Sequence, residues 1–224
     1  MKNVKTGIIF DLDGTLLDTL DDLHACVNYA LKNFNYPLRT KAEIRSFVGN
    51  GIKLLVKRAL PKDVDDKKFQ EVFQLFQEYY TANLNNHTKF YPGIIPLLAE
   101  LRKLNISLGL VSNKFQEGVD KLAQEFFAEY ITVAVGTRPD LKSKPAPDAV
   151  NYVLRELRLN KDTDLLFYVG DSDVDIETAR AAQIPVISVT WGFKKRGFLE
   201  ALGPDYLVDN PEEILEIIRE AKNN

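Results

Sequence analysis

Aspartates recur in two short polar strings that each follow an apolar run: Asp11-Leu12-Asp13-Gly14-Thr15 after Thr6 to Phe10, and Gly170-Asp171-Ser172-Asp173-Val174-Asp175 after Leu165 to Val169. A third apolar run, Ile106 to Val111, ends in Ser112-Asn113-Lys114. Short runs rich in Val, Ile, Leu and aromatics read as buried strands, and ligands of an open parallel sheet gather beyond the carboxyl ends of its strands. If one sheet joins these tips, Asp11, Asp13 and Asp171 share a crevice. Clustered carboxylates repel one another unless a cation neutralises them. An oxygen-only donor set suits Mg²⁺, which takes one or two carboxylates, several waters and a substrate phosphate. Asp171 and Asp175 fall on one face if the turn between them is helical, and Asp175 joins the metal set on that ground.

Blander readings compete. A calcium loop of the EF-hand type needs Gly at its sixth position, and starting from Asp11 or Asp171 that position is Leu16 or Ile176. Asp and Ser before the helix expected over Ile176 to Ala182 suit N-terminal capping, which needs one or two such residues rather than the string present. Cys26, on the stripe of Leu23, Val27 and Ala30, reads as a small core residue. His24 and His87 have no Cys or His cluster around them, which argues against zinc.

The elements that would position these groups alternate. Further strands are expected at Ile131 to Val135 and Pro185 to Thr190, and helices over Gly93 to Leu104, Ala149 to Leu157 and Pro211 to Asn224. Alternation of this kind implies an α/β fold with a parallel sheet covered on both faces. Between Phe10 and Ile106 the pattern changes to helices alone, with Leu20, Leu23, Val27, Leu31 and Phe34 on one stripe and Phe69, Val72, Phe73, Phe76 and Tyr80 on another. An inserted α-helical domain is therefore expected over residues 17–85, with residues 1–16 and 86–224 forming the core.

Composition narrows the function. With 29 Lys and Arg against 32 Asp and Glu, the net charge of −3 offers no global attraction for nucleic acid or an anionic membrane. Apolar residues at 45% and charged residues at 27% are ordinary globular usage. No apolar run has the length of a signal peptide or a membrane span, and a single cysteine cannot form an internal disulfide, so a cytoplasmic protein is expected. A small anionic substrate would need a local positive site.

The strings DLDGTLLD at 11–18, VSNK at 111–114, KPAPD at 144–148 and GDSDVD at 170–175 together resemble the four ordered motifs of the haloacid dehalogenase superfamily. The resemblance implies a Rossmann-like core in which Asp11 is the nucleophile that becomes aspartyl-phosphate and Asp13 is the general acid and base. It implies Mg²⁺ held by Asp11, the Asp13 backbone carbonyl and Asp171, with Asp175 helping directly or through water. Ser112 would bond a phosphoryl oxygen, Lys144 would balance the charge of Asp11, and Thr15 and Asn113 stand with the substrate-binding set. The partner implied is a small phosphorylated metabolite, for a chain expected as a monomer or homodimer.

The helical insertion resembles the small cap of this superfamily, a lid that excludes water from the crevice. Phe47-Val48-Gly49-Asn50-Gly51-Ile52-Lys53, DLDGTLLDT and the Tyr91-Pro92-Gly93 restart look most like the phosphoglycolate phosphatase branch. That likeness makes Arg45, Asn50 and Lys53 candidate contacts for a substrate carboxylate, although exposed surface charge is the competing role for each. Dehalogenases lack an aspartate at the place of Asp13. A β-phosphoglucomutase-type mutase would carry a cap histidine where Leu23 stands, with His24 one later. A receiver-type signalling domain, the non-enzyme alternative, needs neither Asp13 nor a helical lid. The stretch 136–142 matches no motif, and Trp191-Gly192-Phe193 reads as an aromatic rim or core filler.

Overall fold

Every residue of β1, Thr6–Phe10, is buried, and a strand hidden on both faces belongs inside a parallel sheet with helices on each side. The computed structural model, which describes residues 4–223, places it there. After β1 come β2 (Leu17–Asp18), α1 (Leu20–Asn33), α2 (Lys41–Phe47), α3 (Ile52–Ala59), α4 (Asp66–Asn83) and β3 (Lys89–Phe90). Then follow α5 (Ile94–Lys103), β4 (Ser107–Phe115), α6 (Gln116–Phe126), β5 (Val133–Thr137), α7 (Asp148–Glu156) and β6 (Leu165–Gly170). The chain closes with α8 (Asp173–Ala182), β7 (Val186–Val189), α9 (Arg196–Ala201), β8 (Tyr206–Val208) and α10 (Pro211–Asn223); Asn224, the last residue of the helix expected from the sequence, lies outside the described residues.

The main sheet has the order β5-β4-β1-β6-β7-β8, and its neighbouring strands run parallel. From β1 the chain builds β4 and β5 on one side and then crosses to β6, β7 and β8 on the other. Such a reversal opens a crevice at the carboxyl ends of the strands beside it. Register places Phe10 opposite both Leu110 and Val169, so the polar residues that follow all three emerge at one edge. Ile9, Val111, Val135 and Tyr168 pack with Val150 and Val153 of α7 and with Ile176 and Ala179 of α8. Because side chains alternate across a strand, the fully buried Ile8 and Phe10 fill the opposite face.

Several boundaries differ from those the sequence predicts. The expected strand Ile131 to Val135 forms two residues later, as Val133–Thr137, because Ile131 closes the turn after α6 through its N–H to Phe127 O at 2.9 Å. The strand expected to stop at Val111 runs on to Phe115, so Ser112, Asn113 and Lys114 lie within it rather than after it. The last predicted strand is shorter, Val186–Val189. The helix expected from Ile176 begins at Asp173, with Ser172 as its N-cap. β8 is three residues long, Tyr206–Val208, at the sheet edge, too short a run for periodicity to reveal.

The chain divides into two compact units, Met1–Leu17 with Phe90–Asn224 and, separately, Asp18–Lys89. In the second unit α1 packs on α4, and α2 and α3 complete the bundle. Leu23, Val27, Ile44, Val56, Val72, Phe76 and Tyr80 form its interior, while Tyr29 and Tyr79 stack with ring centroids 3.6 Å apart. Phe73 is only half-buried, at the margin of its predicted stripe, and Cys26 is buried as expected. The bundle contains one buried carboxylate, Asp22, which is 1% exposed. It accepts from the main-chain N–H groups of His87 and Thr88 and, at 2.7 Å, from the Thr88 hydroxyl, tying the start of α1 to the segment that leaves α4. Removing the acceptor strands those donors, so Asp22→Ala should lower stability by about 2–3 kcal/mol; urea unfolding followed by circular dichroism reads the change.

Candidate active site

Lys144 is 7% exposed, and an ammonium so placed needs each of its three hydrogens accepted. Its Nζ donates to Asp11 Oδ1 at 2.7 Å, to Asp175 Oδ1 at 2.8 Å and to the Tyr168 hydroxyl at 3.1 Å. The Tyr168 hydroxyl in turn donates to Asp175 Oδ1 at 3.0 Å. Asp175 Oδ2 accepts from the main-chain N–H of Ser172 at 3.1 Å and from its hydroxyl at 2.6 Å. All four lone-pair directions of Asp175 therefore meet protein donors, and the residue caps α8 while it holds Lys144. A cation reaches Asp175 by displacing one of these donors or through a bridging water.

Asp171 completes the cluster, and one carboxylate oxygen from each of Asp11, Asp171 and Asp175 lies within 4.8 Å of the others. Asp171 Oδ2 accepts the main-chain N–H of Phe193 at 2.6 Å, and Oδ1 takes a long 3.5 Å bond from Thr15. Two glycines make room for it. A Cβ on Gly14, whose φ is +92°, would sit 2.5 Å from Asp171 Oδ2, and one on Gly192 would sit 2.4 Å from the same oxygen. The Trp191 ring Nε1–H donates to Thr15 O at 3.0 Å. The stretch 191–193 thus does more than fill a rim: it presses main chain against the acid cluster.

Three carboxylates around one ammonium leave two negative charges uncompensated in a space closed to water. Burial, with Asp175 adding to it and Lys144 opposing it, pushes Asp11 from the ordinary 3.8 up to about 7. Burial, Asp175 and Asp11 likewise raise Asp171 well above the carboxylate range. Burial works against the charge of Lys144, yet Asp11 and Asp175 hold its pKa well above the ordinary value. The missing charge is that of one divalent cation, and the donors are all oxygen, so the residues present fit Mg²⁺.

Asp13, two residues beyond Asp11, pairs with Lys114, Nζ to Oδ1 at 2.9 Å. Ser112 is 5% exposed, and its Oγ accepts the Lys114 N–H at 3.1 Å, which leaves the hydroxyl hydrogen for another acceptor. Asn113 Nδ2 donates to Lys144 O at 3.1 Å, bracing the loop that carries the lysine. Thr15 and Asn113 thus both bond to the site's own residues. Arg45, Asn50 and Lys53 lie in the helical unit. Arg45 and Lys53 are exposed on α2 and α3, and Asn50 Oδ1 accepts from Arg58 Nη2 at 2.8 Å, while Arg58 Nη1 donates to Phe47 O at 2.7 Å.

Sequence reasoning overlooked Tyr168 and the pairing of Lys114 with Asp13. A tyrosine inside the buried run Leu165 to Gly170 was the available signal, because a buried hydroxyl needs a partner. Nothing local marks Lys114.

The chain matches the family of haloacid dehalogenase-like hydrolases over residues 8–189. It is 32% identical over 225 residues to phosphoglycolate phosphatase of Vibrio cholerae serotype O1, covering 97% of this chain and 98% of that protein. Its similarity to phosphoglycolate phosphatase of Vibrio parahaemolyticus is 31% identity over 218 residues, 94% of this chain and 95% of the other. Among solved structures, a protein provisionally named phosphoglycolate phosphatase from Lactobacillus delbrueckii superposes with a TM-score of 0.90 at 32% identity, covering 96% of this chain and 99% of the other. A haloacid dehalogenase-like hydrolase from Streptococcus pneumoniae superposes with a TM-score of 0.84 at 26% identity, covering 96% and 98%.

The upward shift of Asp11 has a consequence for stability. The folded chain binds this proton more tightly than the unfolded chain, so the contribution is whole below pH 3.8 and is lost as pH rises toward about 7. In chelator, the thermal midpoint of the wild type should fall across that window relative to Asp11→Asn, and added Mg²⁺ should restore it. Differential scanning calorimetry at a series of pH values makes the comparison.

Proposed function

The chain belongs to the haloacid dehalogenase-like hydrolase family, and on that premise we propose that it is a Mg²⁺-dependent phosphatase of small phosphate monoesters, foremost 2-phosphoglycolate. The observation that carries this reading is the buried Asp11 carboxylate, bonded to Lys144 at 2.7 Å within a group of acids suited to a cation, with Asp13 two positions on. The names of the relatives support the substrate, and Arg45, Asn50 and Lys53 stay candidates for its carboxylate on the resemblance alone. A soluble metabolite of the cytoplasm suits a chain in which, among the described residues, no helix is long and apolar enough to cross a membrane.

Phosphate monoesters resist hydrolysis because nucleophile and phosphoryl group are both anionic, so catalysis rests on charge cancellation and positioning. Mg²⁺ held by Asp11, the Asp13 carbonyl and Asp171 would supply positive charge at the phosphoryl oxygens. Lys144 opposes the upward shift of Asp11 and aims its carboxylate through the 2.7 Å bond. An Asp11 oxygen attacks phosphorus and the bond to the ester oxygen breaks, while Asp13 gives its proton to the departing alkoxide. Ser112 donates its hydroxyl hydrogen to a phosphoryl oxygen. Asp13, now a carboxylate, takes a proton from water, and that water's oxygen attacks phosphorus. The bond to Asp11 then breaks, releasing inorganic phosphate and the free carboxylate.

With Mg²⁺ present, phosphate release should favour 2-phosphoglycolate over sugar phosphates, nucleotides and pyrophosphate, and chelator should stop it. Asp11→Asn should cost about 10⁴-fold or more in kcat, as loss of a nucleophile does, while Asp13→Asn should slow both formation and breakdown of the phospho-enzyme by about 10²-fold or more. Substantial turnover by Asp11→Asn would refute the assignment. Isomer formation from a hexose 1-phosphate would point to a mutase instead.

A further inference from the structure

Lys114 is the second buried lysine of this edge. Its side chain is 1% exposed, whereas the Asp13 side chain it meets at 2.9 Å is 16% exposed. A lysine so enclosed gains nothing from solvent, and burying its charge is costly without a partner. Asp13 supplies that partner through Oδ1, so the other oxygen of the carboxylate is the one available to the crevice.

The backbone beneath Lys114 is irregular. In the pairing of β4 with β5, Val111 faces Val135 and Phe115 faces Thr137, with a register break between them. Ser112, Asn113 and Lys114 therefore bulge opposite the single residue Gly136. A bulge re-aims the side chains it carries. This one is held from its neighbour strand, because Gln116 Oε1 accepts the Gly136 N–H at 2.7 Å and the Thr137 hydroxyl donates to Asn113 O at 3.1 Å. Gly136 is necessary to it, since an added Cβ would sit 2.6 Å from Lys114 O and 2.9 Å from the Gln116 backbone. These contacts give a role to a glycine in a stretch that matched no motif.

We propose that the bulge at 112–114, made possible by Gly136, aims Lys114 at Asp13 so that Lys114 is the positioning residue for the acid–base carboxylate. The inference rests on the phosphatase reading above and deepens it. Lys114 touches neither phosphorus nor the leaving group. It fixes one oxygen of Asp13 so that the other meets the ester oxygen, and later the attacking water, at a set angle and distance.

Positioning of an acid matters most when the leaving group cannot depart unprotonated. An alkoxide such as that of 2-phosphoglycolate needs the proton, whereas 4-nitrophenolate does not. The test therefore measures kcat/KM with Mg²⁺ for both esters in the wild type, Lys114→Met, Lys114→Arg and Gly136→Ala. Lys114→Met should lose about 10- to 100-fold on 2-phosphoglycolate and no more than about threefold on 4-nitrophenyl phosphate. Lys114→Arg, which keeps a cation beside Asp13, should recover most of the loss. Gly136→Ala, which displaces the whole bulge and leaves the lysine in the chain, should lose more on 2-phosphoglycolate than on 4-nitrophenyl phosphate, the loss common to both esters being that of Ser112, so the question remains answerable if Lys114→Met does not fold. Equal losses on the two esters, or none on either, would overturn the positioning role while leaving the phosphatase reading intact. A wild type inert toward both esters would instead overturn the reading on which it rests.

Discussion

The site depends on a charge imbalance kept out of water. Asp11, Asp171 and Asp175 are each 6% exposed or less, and the lysine among them, Lys144, has no hydrogen to spare after Asp11, Asp175 and Tyr168. Such an arrangement is unfavourable unless protons or a cation complete it, and the proposed Mg²⁺ would meet that need. Stability is given up locally, as it is wherever like charges are buried together. The rest of the core can be understood as the means of holding this imbalance together.

Holding it requires main chain close to the carboxylates, and three glycines permit that approach. Gly14 and Gly192 press against Asp171, and a Cβ on Gly170 would lie 2.3 Å from Asp175. Helix ends contribute as well. α8 begins at Asp173, so its first-turn N–H groups and positive dipole end lie beside Asp171 and Asp175. Capping of α8 and the hold on Lys144 are one arrangement in Asp175. Its Oδ2 takes the Ser172 donors and its Oδ1 takes Lys144.

Parallel pairing explains why residues so distant in the chain meet. β1 lies between β4 and β6, and a parallel sheet aligns the carboxyl ends of its strands, so Asp11, Ser112 and Asp171 share an edge by topology. A departure from ideal geometry then matters as much as the ideal. The bulge opposite Gly136 turns an ordinary strand end into a support for Ser112 and for Lys114 in its pairing with Asp13. The helical unit has its own order, seen where Asp22 gathers the His87 and Thr88 donors.

Residue type and spacing alone made much of this legible. Period-two and buried apolar runs located the central strands, the 3.6-residue stripes located α1, α4 and α5, and acids after strands marked Asp11, Asp13 and Asp171. These signals are local, since burial and periodicity are written within a few residues of one another. What the tertiary structure decided is non-local. Whether Lys114 meets Asp13, whether Tyr168 holds Lys144, and why Gly136 must be glycine depend on segments that approach only once the sheet is paired. The edge strand β8 and the shifted start of β5 likewise follow from neighbours rather than from their own residues. A side chain's type is covalent and legible in advance, but its partner is set by register and packing, which exist only in the folded chain.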